Sequence, residues 1–100
     1  MKDSSIYITI NHLEDYQSAS YLKPGDRLVL EKDRNNSFDD EAIRVKKDNI
    51  TVGYVANSVS SVMRGTFSAG RVYDRIDDRA VCLIRFMNED LLLAEILRED

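Results

Sequence analysis

The sequence has few of the residues that build covalent, metal or membrane chemistry. It contains one cysteine, one histidine, one proline and no tryptophan. A single cysteine cannot form an internal disulfide, and one cysteine with one histidine falls short of a zinc ligand set. No apolar run approaches the roughly 18 residues of a membrane span, and the start, MKDSSIYITIN, lacks the features of a signal peptide. We therefore expect a cytoplasmic protein without a membrane segment.

The charge pattern has no basic excess. The net charge is −4, and residues 86–100 carry five acids against one base, so the rest of the chain is balanced. Domains that bind duplex nucleic acid usually present a strongly basic patch. A nucleic-acid role for this chain would therefore need a small local site.

Four runs in the first half of the chain are typical of β-strands. They cover residues 5–10, 27–32, 42–47 and 50–55, and the first places three isoleucines on one face at period two. Asp48-Asn49 between the last two runs predicts a hairpin. Gly53 inside a strand predicts a bulge or a close backbone approach, and the stretch between the first two strands has room for one helical turn.

The second half predicts a helix followed by strands. Segment 57–65 has Asn57 or Ser58 as a possible N-cap, apolar residues at i, i+3 and i+4, and Gly65 at its end, which predicts a helix. Runs 71–76 and 79–86 flank Asp77-Asp78 as a second hairpin. Segment 91–97 is either a helix or a last strand, and we favour the strand.

These elements predict an α+β, mainly β domain. Five or six short strands with one clear helix between strands four and five favour a closed or partly open barrel. One hundred residues suit a single domain over 1–100.

Isolated chemical residues give no enzyme site. His12 has acids near it but no nucleophile, so we interpret it as a surface loop histidine. Cys82 lies inside the apolar run AVCLIRF, and we interpret it as a core residue. We expect no catalysis and no cofactor, since the sequence also has no glycine-rich phosphate loop.

The acids around residues 33–44 do not match a calcium-binding loop. Phe38 stands where an EF-hand needs glycine, and Arg44 stands where it needs the bidentate glutamate, so this motif is rejected. A weak divalent site through Asp39, Asp40 and Glu41 stays a minor alternative.

The stretch NNSFDDEAIRV (35–45), followed by VGYV (52–55), resembles the HIRAN domain family. In that family a polar run leads to an Asn-Pro-aromatic-Asp core, an Ala-Ile/Leu anchor, a hairpin, a Gly-Tyr/His step and a helix. The match runs from about Leu28 to Met63, with the helix at 58–64 and Ser37 in place of the proline. The matching residues are Asn36, Phe38, Asp39, Ala42, Ile43, Val45, Gly53, Tyr54 and Val55.

The resemblance implies a small OB-like, six-stranded β-barrel with one or two short helices, as in a stand-alone member of the bacterial type. It also implies binding of single-stranded DNA at a free 3′ end, an activity that in some members serves the remodelling of stalled replication forks and DNA repair. Phe38 would stack on the terminal base, and Asp39 would accept a hydrogen bond from the 3′-hydroxyl. Further contacts would come from Asn36, Tyr54 and Tyr16, with phosphate attraction from Lys32, Arg34, Arg44 and Lys46.

Physical chemistry is consistent with this pairing of an aromatic with an acid. Stacking of a base on an aromatic ring contributes roughly 1–3 kcal/mol and tolerates any base. A carboxylate accepts hydrogen bonds and repels phosphate, so it suits a hydroxyl end. Gln17 follows Tyr16 where the family often has a second aromatic, so the second stacking wall is not matched here. Only Arg64 is basic in GYVANSVSSVMR, which together with the acidic tail predicts weaker or different binding than in the family's DNA-binding members.

Other interpretations stay open. Phe38 could plug the mouth of the barrel while Asp39 caps the turn before the next strand. The basic residues alternate with acids, six acids against five bases between Glu31 and Asp48, as on a solvated face. The alternative function is a protein-interaction or self-association module that uses a barrel edge or the apolar segment LLLAEIL (91–97).

Overall fold

The computed structural model describes residues 5–97. Its strands are β1 (Tyr7–Asn11), β2 (Arg27–Lys32), β3 (Ile43–Lys47), β4 (Ile50–Val55), β5 (Arg79–Met87) and β6 (Leu92–Leu97), with a short helix α1 (Ala69–Tyr73) between β4 and β5. Two 3₁₀ helices, Glu14–Tyr16 and Ala19–Tyr21, lie between β1 and β2. Within 5–97 no helix is long and apolar enough to cross a membrane.

The six strands close into an antiparallel barrel in the order β1-β4-β3-β2-β5-β6. The hairpin between β3 and β4 turns at Asp48 and Asn49, whose φ angles are 53° and 69°. Positive φ at both positions is what a tight two-residue hairpin requires. β6 pairs with both β5 and β1, so the predicted last strand closes the ring. The mainly β barrel with short helices is confirmed.

The core forms because alternate residues of each strand point into the barrel. Its buried strand residues include Ile8, Ile10, Leu28, Leu30, Ile43, Val45, Cys82, Ile84, Leu92 and Ala94. Cys82 is thus a core residue as expected, and burial raises the pKa of its thiol to about 12. The residues between these positions, such as Arg44 and Tyr54, point outward and are available for a surface site.

Gly53 allows β1 to pack closely against β4, as the sequence predicted. A Cβ atom at this position would lie 2.5 Å from the backbone oxygen of Asn11. The register between β3 and β4 also shifts between Val45 and Lys46, next to the glycine. Any side chain at residue 53 would therefore push β1 away.

The helix predicted over 57–65 is wrong. This segment is a series of turns, in which the Ser58 carbonyl accepts from the backbone amides of Ser61 and Val62 and no further helical turn follows. Its apolar spacing does not provide a core face, since Val59 is fully exposed. The serine hydroxyls instead bond to one another and to nearby backbone, a competition that disfavours helix.

The helix lies at Ala69–Tyr73, where we had predicted the start of a strand. Ala69 and Val72 are both buried, and their i, i+3 spacing places them on one helical face. The Ser68 side chain caps the helix by accepting from the backbone amide of Arg71. The strand over 71–76, and with it the hairpin at Asp77-Asp78, is therefore wrong. Burial at two helix-spaced positions outweighs the β propensity of Val72 and Tyr73.

Candidate functional site

An open cleft of about 530 Å³ lies where β1 and β4 end, beside the loop that precedes β3. Three segments line it: the end of β1 with the first 3₁₀ helix, loop 33–42, and the end of β4 with the turns after it. The lining residues are Asn11, His12, Asp15, Tyr16, Asn36, Phe38, Asp39, Ala42, Tyr54, Val55, Ala56, Asn57, Ser58 and Ser61. The cleft thus includes Asn36, Phe38, Asp39, Tyr54 and Tyr16, five residues that the sequence placed in one site.

The shape of loop 33–42 depends on side-chain oxygens that accept hydrogen bonds from backbone amides of the same loop. The side-chain oxygen of Asn36 accepts from the backbone amides of Phe38 at 2.8 Å and Asp39 at 3.0 Å. Asp39 Oδ1 accepts from the amide of Glu41 at 2.8 Å, which sets the next turn. Asn and Asp are suited to such turns because their short side chains reach the backbone two or three residues on.

This loop presents Phe38 to solvent. The residue is 97 % exposed, so it does not plug the barrel. Asp39 does cap the turn before β3, as the alternative interpretation expected, but it also lines the cleft. A fully exposed phenylalanine beside a carboxylate gives the cleft an apolar, planar surface and a hydrogen-bond acceptor at its rim.

Two tyrosines add aromatic surface to the same cleft. The rings of Tyr16 and Tyr54 have centroids 6.4 Å apart and are tilted by 33°. Tyr16 belongs to the first 3₁₀ helix, whereas Tyr54 is an outward residue of β4. The arrangement brings together aromatics that are far apart in sequence, as a stacking site needs.

Asp33 holds the outer face of the barrel to loop 33–42. Its Oδ2 accepts from the Tyr54 hydroxyl at 2.9 Å, from Arg44 Nη2 at 3.2 Å and from Asn36 Nδ2 at 3.3 Å. Arg44 Nε also donates to the Tyr54 hydroxyl at 3.2 Å. Four side chains from two strands and one loop thus form one polar network below the cleft.

The network shifts the ionisation of its members. Burial acts to raise the pKa of the Asp33 carboxyl, but hydrogen bonds from Tyr54 and Asn36 and the charge of Arg44 outweigh it, so the pKa lies below its usual value. Burial raises the pKa of the Tyr54 hydroxyl. Asp33 thus stays ionised opposite the Arg44 guanidinium, and each charge offsets the other.

Comparisons with known proteins identify the family of this domain. The family model described as "HIRAN domain" matches residues 5–87. This chain belongs to the HIRAN domain family. The crystal structure of the HIRAN domain of human HLTF is similar, with a TM-score of 0.70 and 19 % sequence identity over 93 % of this chain and 73 % of that one. No curated protein matches the chain significantly.

The four basic residues expected to attract phosphate lie outside the lining of the HIRAN cleft. Lys46 pairs with Glu31 at 3.0 Å, Arg34 pairs with Asp78, and Lys32 sits over the Tyr73 ring with Nζ 4.5 Å from its centroid. Arg44 reaches the edge of the site but is paired with Asp33. The sequence did not indicate these contacts, because most of the partners, such as Tyr73 and Asp78, are distant in sequence and are brought close only by the fold.

The cleft of this HIRAN domain also contains polar residues that the sequence did not single out. Asn57, Ser58 and Ser61 line it, although we had interpreted them as parts of a helix. The sequence did offer one signal for these residues, since they form a polar run directly after the Gly-Tyr strand of the HIRAN motif. Asn11 also lines the cleft, and its side-chain oxygen is buried without a hydrogen-bond partner among residues 5–97.

The charge lining the cleft is acidic. Among its lining residues Asp15 and Asp39 are acids, His12 is the one titratable base, and lysine and arginine do not occur. His12 is exposed, and its Nδ1 lies 2.9 Å from Asp15 Oδ2. Within residues 5–97 no group of three or more His, Cys, Asp or Glu side chains is arranged to hold a metal ion, so the divalent alternative has no support there. The lining suits a group that donates hydrogen bonds and disfavours an anionic group.

Proposed function

We propose that this HIRAN domain is a non-catalytic module that binds single-stranded DNA at a free 3′-hydroxyl end. The family is known in general for DNA binding. The observation that carries the proposal is the pairing of a fully exposed Phe38 with Asp39 at the rim of the aromatic cleft. A role in DNA repair or stalled-fork processing belongs to the same proposal.

Stacking supplies the affinity in this proposal. Phe38 offers one free aromatic face to the terminal base, and Tyr16 and Tyr54 offer further ring surface in the cleft. Stacking of one base on one ring contributes roughly 1–3 kcal/mol without sequence preference. The module would therefore bind ends of any sequence.

Asp39 supplies the preference for a hydroxyl. Its two carboxylate oxygens accept from the Glu41 amide and the Asn57 side chain, and each keeps a second lone pair that can accept from the ligand. A 3′-hydroxyl can donate to it, whereas a 3′-phosphate brings negative charge beside a carboxylate. The acidic lining of the cleft acts in the same direction.

The test is fluorescence anisotropy at low salt with short labelled single strands. One strand ends in a 3′-hydroxyl and its match ends in a 3′-phosphate. We expect tighter binding of the hydroxyl end, weakened about tenfold by Phe38→Ala, and an end preference abolished by Asp39→Asn. Phe86→Ala and Asp40→Asn are matched controls, since Phe86 is 55 % exposed on β5 and neither residue lines the cleft. Absence of binding by the folded wild type would overturn the proposal.

Strand addition, the interaction mode of the alternative function, would require an unpaired strand edge. The apolar segment 91–97 supplies β6, which is paired on both sides. The barrel that residues 5–97 form is closed, but β1 pairs with β4 only at Ile10 and Asn11, so the first residues of β4 are not paired with β1. Self-association through another surface would appear as a concentration-dependent molecular mass that persists at high salt.

A further inference from the structure

Asn57 joins the rim of the cleft to the start of α1. Its side-chain Nδ2 donates to Asp39 Oδ2 at 3.0 Å, and its Oδ1 accepts from the backbone amide of Gly70 at 2.8 Å. The two partners define the orientation of the amide, because the opposite orientation would face an oxygen towards the carboxylate and an NH₂ towards an N–H. One side chain thus makes two directed contacts across 13 and 18 residues of sequence.

The Gly70 end of this connection is anchored in the core. The backbone amide of Ala69 donates to the Ala56 carbonyl at 2.9 Å, and Ala69 is buried. At Gly70 a Cβ atom would lie 2.6 Å from Glu41 Oε1 and 3.2 Å from Asn57 Oδ1. Both atoms are the ends of side chains, so the exposed Glu41 carboxylate would have to move aside for a side chain at residue 70. Asn57 is thus bonded to the backbone of α1, a helix that the buried residues Ala69 and Val72 attach to the core.

The Asp39 end needs such support. Asp39 lies in loop 33–42 beside the exposed residues Phe38 and Asp40. One carboxylate oxygen is held by the local turn through the Glu41 amide, and the other by Asn57. Two donors on two oxygens fix the plane of the carboxylate, whereas the turn alone would leave it free to rotate about its terminal bond.

We infer that Asn57 is a positioning residue, which orients the Asp39 carboxylate and thereby sets the preference of the cleft for a hydroxyl-bearing end. The inference rests on the proposed function and adds to it the residue that makes Asp39 selective. Asn57 uses one of its two N–H donors on Asp39 and one lone pair of its oxygen on Gly70, so its role in positioning does not depend on a contact with the DNA. Each carboxylate oxygen of Asp39 keeps a second lone pair for a donor from the ligand.

The experiment compares end preference among three proteins, the wild type, Asn57→Ala and Ser68→Ala. Strands with a 3′-hydroxyl and with a 2′,3′-dideoxy end differ by one hydroxyl group. The dissociation constant of the dideoxy end divided by that of the hydroxyl end therefore measures how strongly the hydroxyl is recognised. We expect Asn57→Ala to lower this ratio about tenfold, while binding of the dideoxy end changes little. Ser68→Ala is the control, because it removes the α1 cap without touching the Asn57–Asp39 contact. An unchanged ratio in Asn57→Ala, or an equal loss in Ser68→Ala, overturns the inference.

An exchange of the two side chains separates positioning from folding. Asn57→Asp alone sets two carboxylates against each other, so it should lower both thermal stability and the hydroxyl preference. Adding Asp39→Asn restores a donor and an acceptor across the same contact. We expect the double variant to regain stability but not the hydroxyl preference, because the amide has replaced the carboxylate at the rim. Recovery of the preference in the double variant would contradict the role given to Asp39.

Failure of the proposed function is distinguishable from failure of this inference. If the wild type binds the two ends equally, the hydroxyl preference is wrong both in the proposed function and in the inference about Asn57. The orientation of Asp39 is then measured in the free protein by NMR, through the Asp39 side-chain carboxyl carbon and the Glu41 amide. Shifts of both signals in Asn57→Ala, but not in Ser68→Ala, support positioning. Unchanged signals contradict it.

Discussion

The hydroxyl of Tyr54 donates a 2.9 Å hydrogen bond to the carboxylate of Asp33, which connects an outward residue of β4 to the start of loop 33–42. Since the same carboxylate oxygen accepts from Asn36, it fixes both the cleft tyrosine and the amide that bends the loop. The aromatic wall and the loop carrying Phe38 therefore depend on one residue that does not itself line the cleft.

Removal of the Tyr54 hydroxyl tests this dependence. Tyr54→Phe keeps the ring but removes the donor to Asp33 and the acceptor for Arg44, so we expect the free energy of unfolding to fall by about 1–2 kcal/mol. Asp33→Asn should cost a similar amount, and the double variant less than the sum, because the two residues share one network. Urea denaturation of the four proteins measures all three losses. Additive losses would show that the residues act independently.

Asp26 gives the fold a defined sensitivity to acid. Hydrogen bonds from Lys23 and Lys47 lower the pKa of its carboxyl from 3.8 to about 2. The unfolded chain keeps the ordinary value, so the stabilisation is complete above about pH 4 and is lost as the pH falls towards about 2. We expect the Tm of the wild type to fall over this range by more than that of Asp26→Asn. Circular dichroism melts at stepped pH provide the measurement, and parallel curves for the two proteins would count against the pairing.

The acidic lining of the cleft predicts that DNA binding depends weakly on salt. With no lysine or arginine among the lining residues, few counterions are released on binding. A plot of log K against log salt should have a slope no steeper than about −2. Anisotropy titrations at four salt concentrations measure it. A much steeper slope would mean that basic residues outside the cleft bind the strand.

Gly53 is the glycine whose replacement should damage both fold and cleft. In Gly53→Ala the new methyl group would meet the Asn11 carbonyl at 2.5 Å, a backbone atom that cannot move without shifting β1. We expect a loss of about 3 kcal/mol or more. Gly25→Ala is the comparison, since at φ 96° it has open space and only backbone strain, worth about 1–2 kcal/mol. Equal losses in urea denaturation would argue against the close approach.

Cys82 should be unreactive in the folded protein. Burial in the barrel raises the pKa of its thiol to about 12, so the thiolate that reacts with thiol reagents is scarce at neutral pH. We expect labelling by a water-soluble disulfide reagent to occur only at the rate of unfolding, and to become fast in urea. Rapid labelling of the native protein would show that β5 opens locally.

The strands were predictable because their pattern is local. Ile6, Ile8 and Ile10 alternate with polar residues, and Asp48-Asn49 has the chemistry of a tight turn. The helix was misplaced because residues 57–65 and 69–73 both carry helix-compatible spacing, and only tertiary burial of Ala69 and Val72 selects the second. Helical periodicity shows that a segment could form an apolar helical face. It does not show whether the folded barrel has a core surface against which that face can pack.

The candidate site was predictable where motif residues are adjacent, and not where the fold joins distant segments. Phe38, Asp39 and Asn36 were found together because they share one loop. Asp33 and Asn57 were missed, since their importance comes from hydrogen bonds to residues 18 to 21 positions away. The phosphate role expected for Lys46 was inferred without knowledge of Glu31, its partner across the β2–β3 pair.

The full exposure of Phe38 has a consequence for how this domain can change. A side chain that makes no packing contact contributes almost nothing to folding, so its identity is under no constraint from the barrel. Substitutions at this one position can alter what the loop binds while expression and thermal stability stay the same. Residue 38 is therefore a position where the binding surface can change independently of the fold, with the hydrogen bonds of Asp33 and Asn36 beneath the loop left intact.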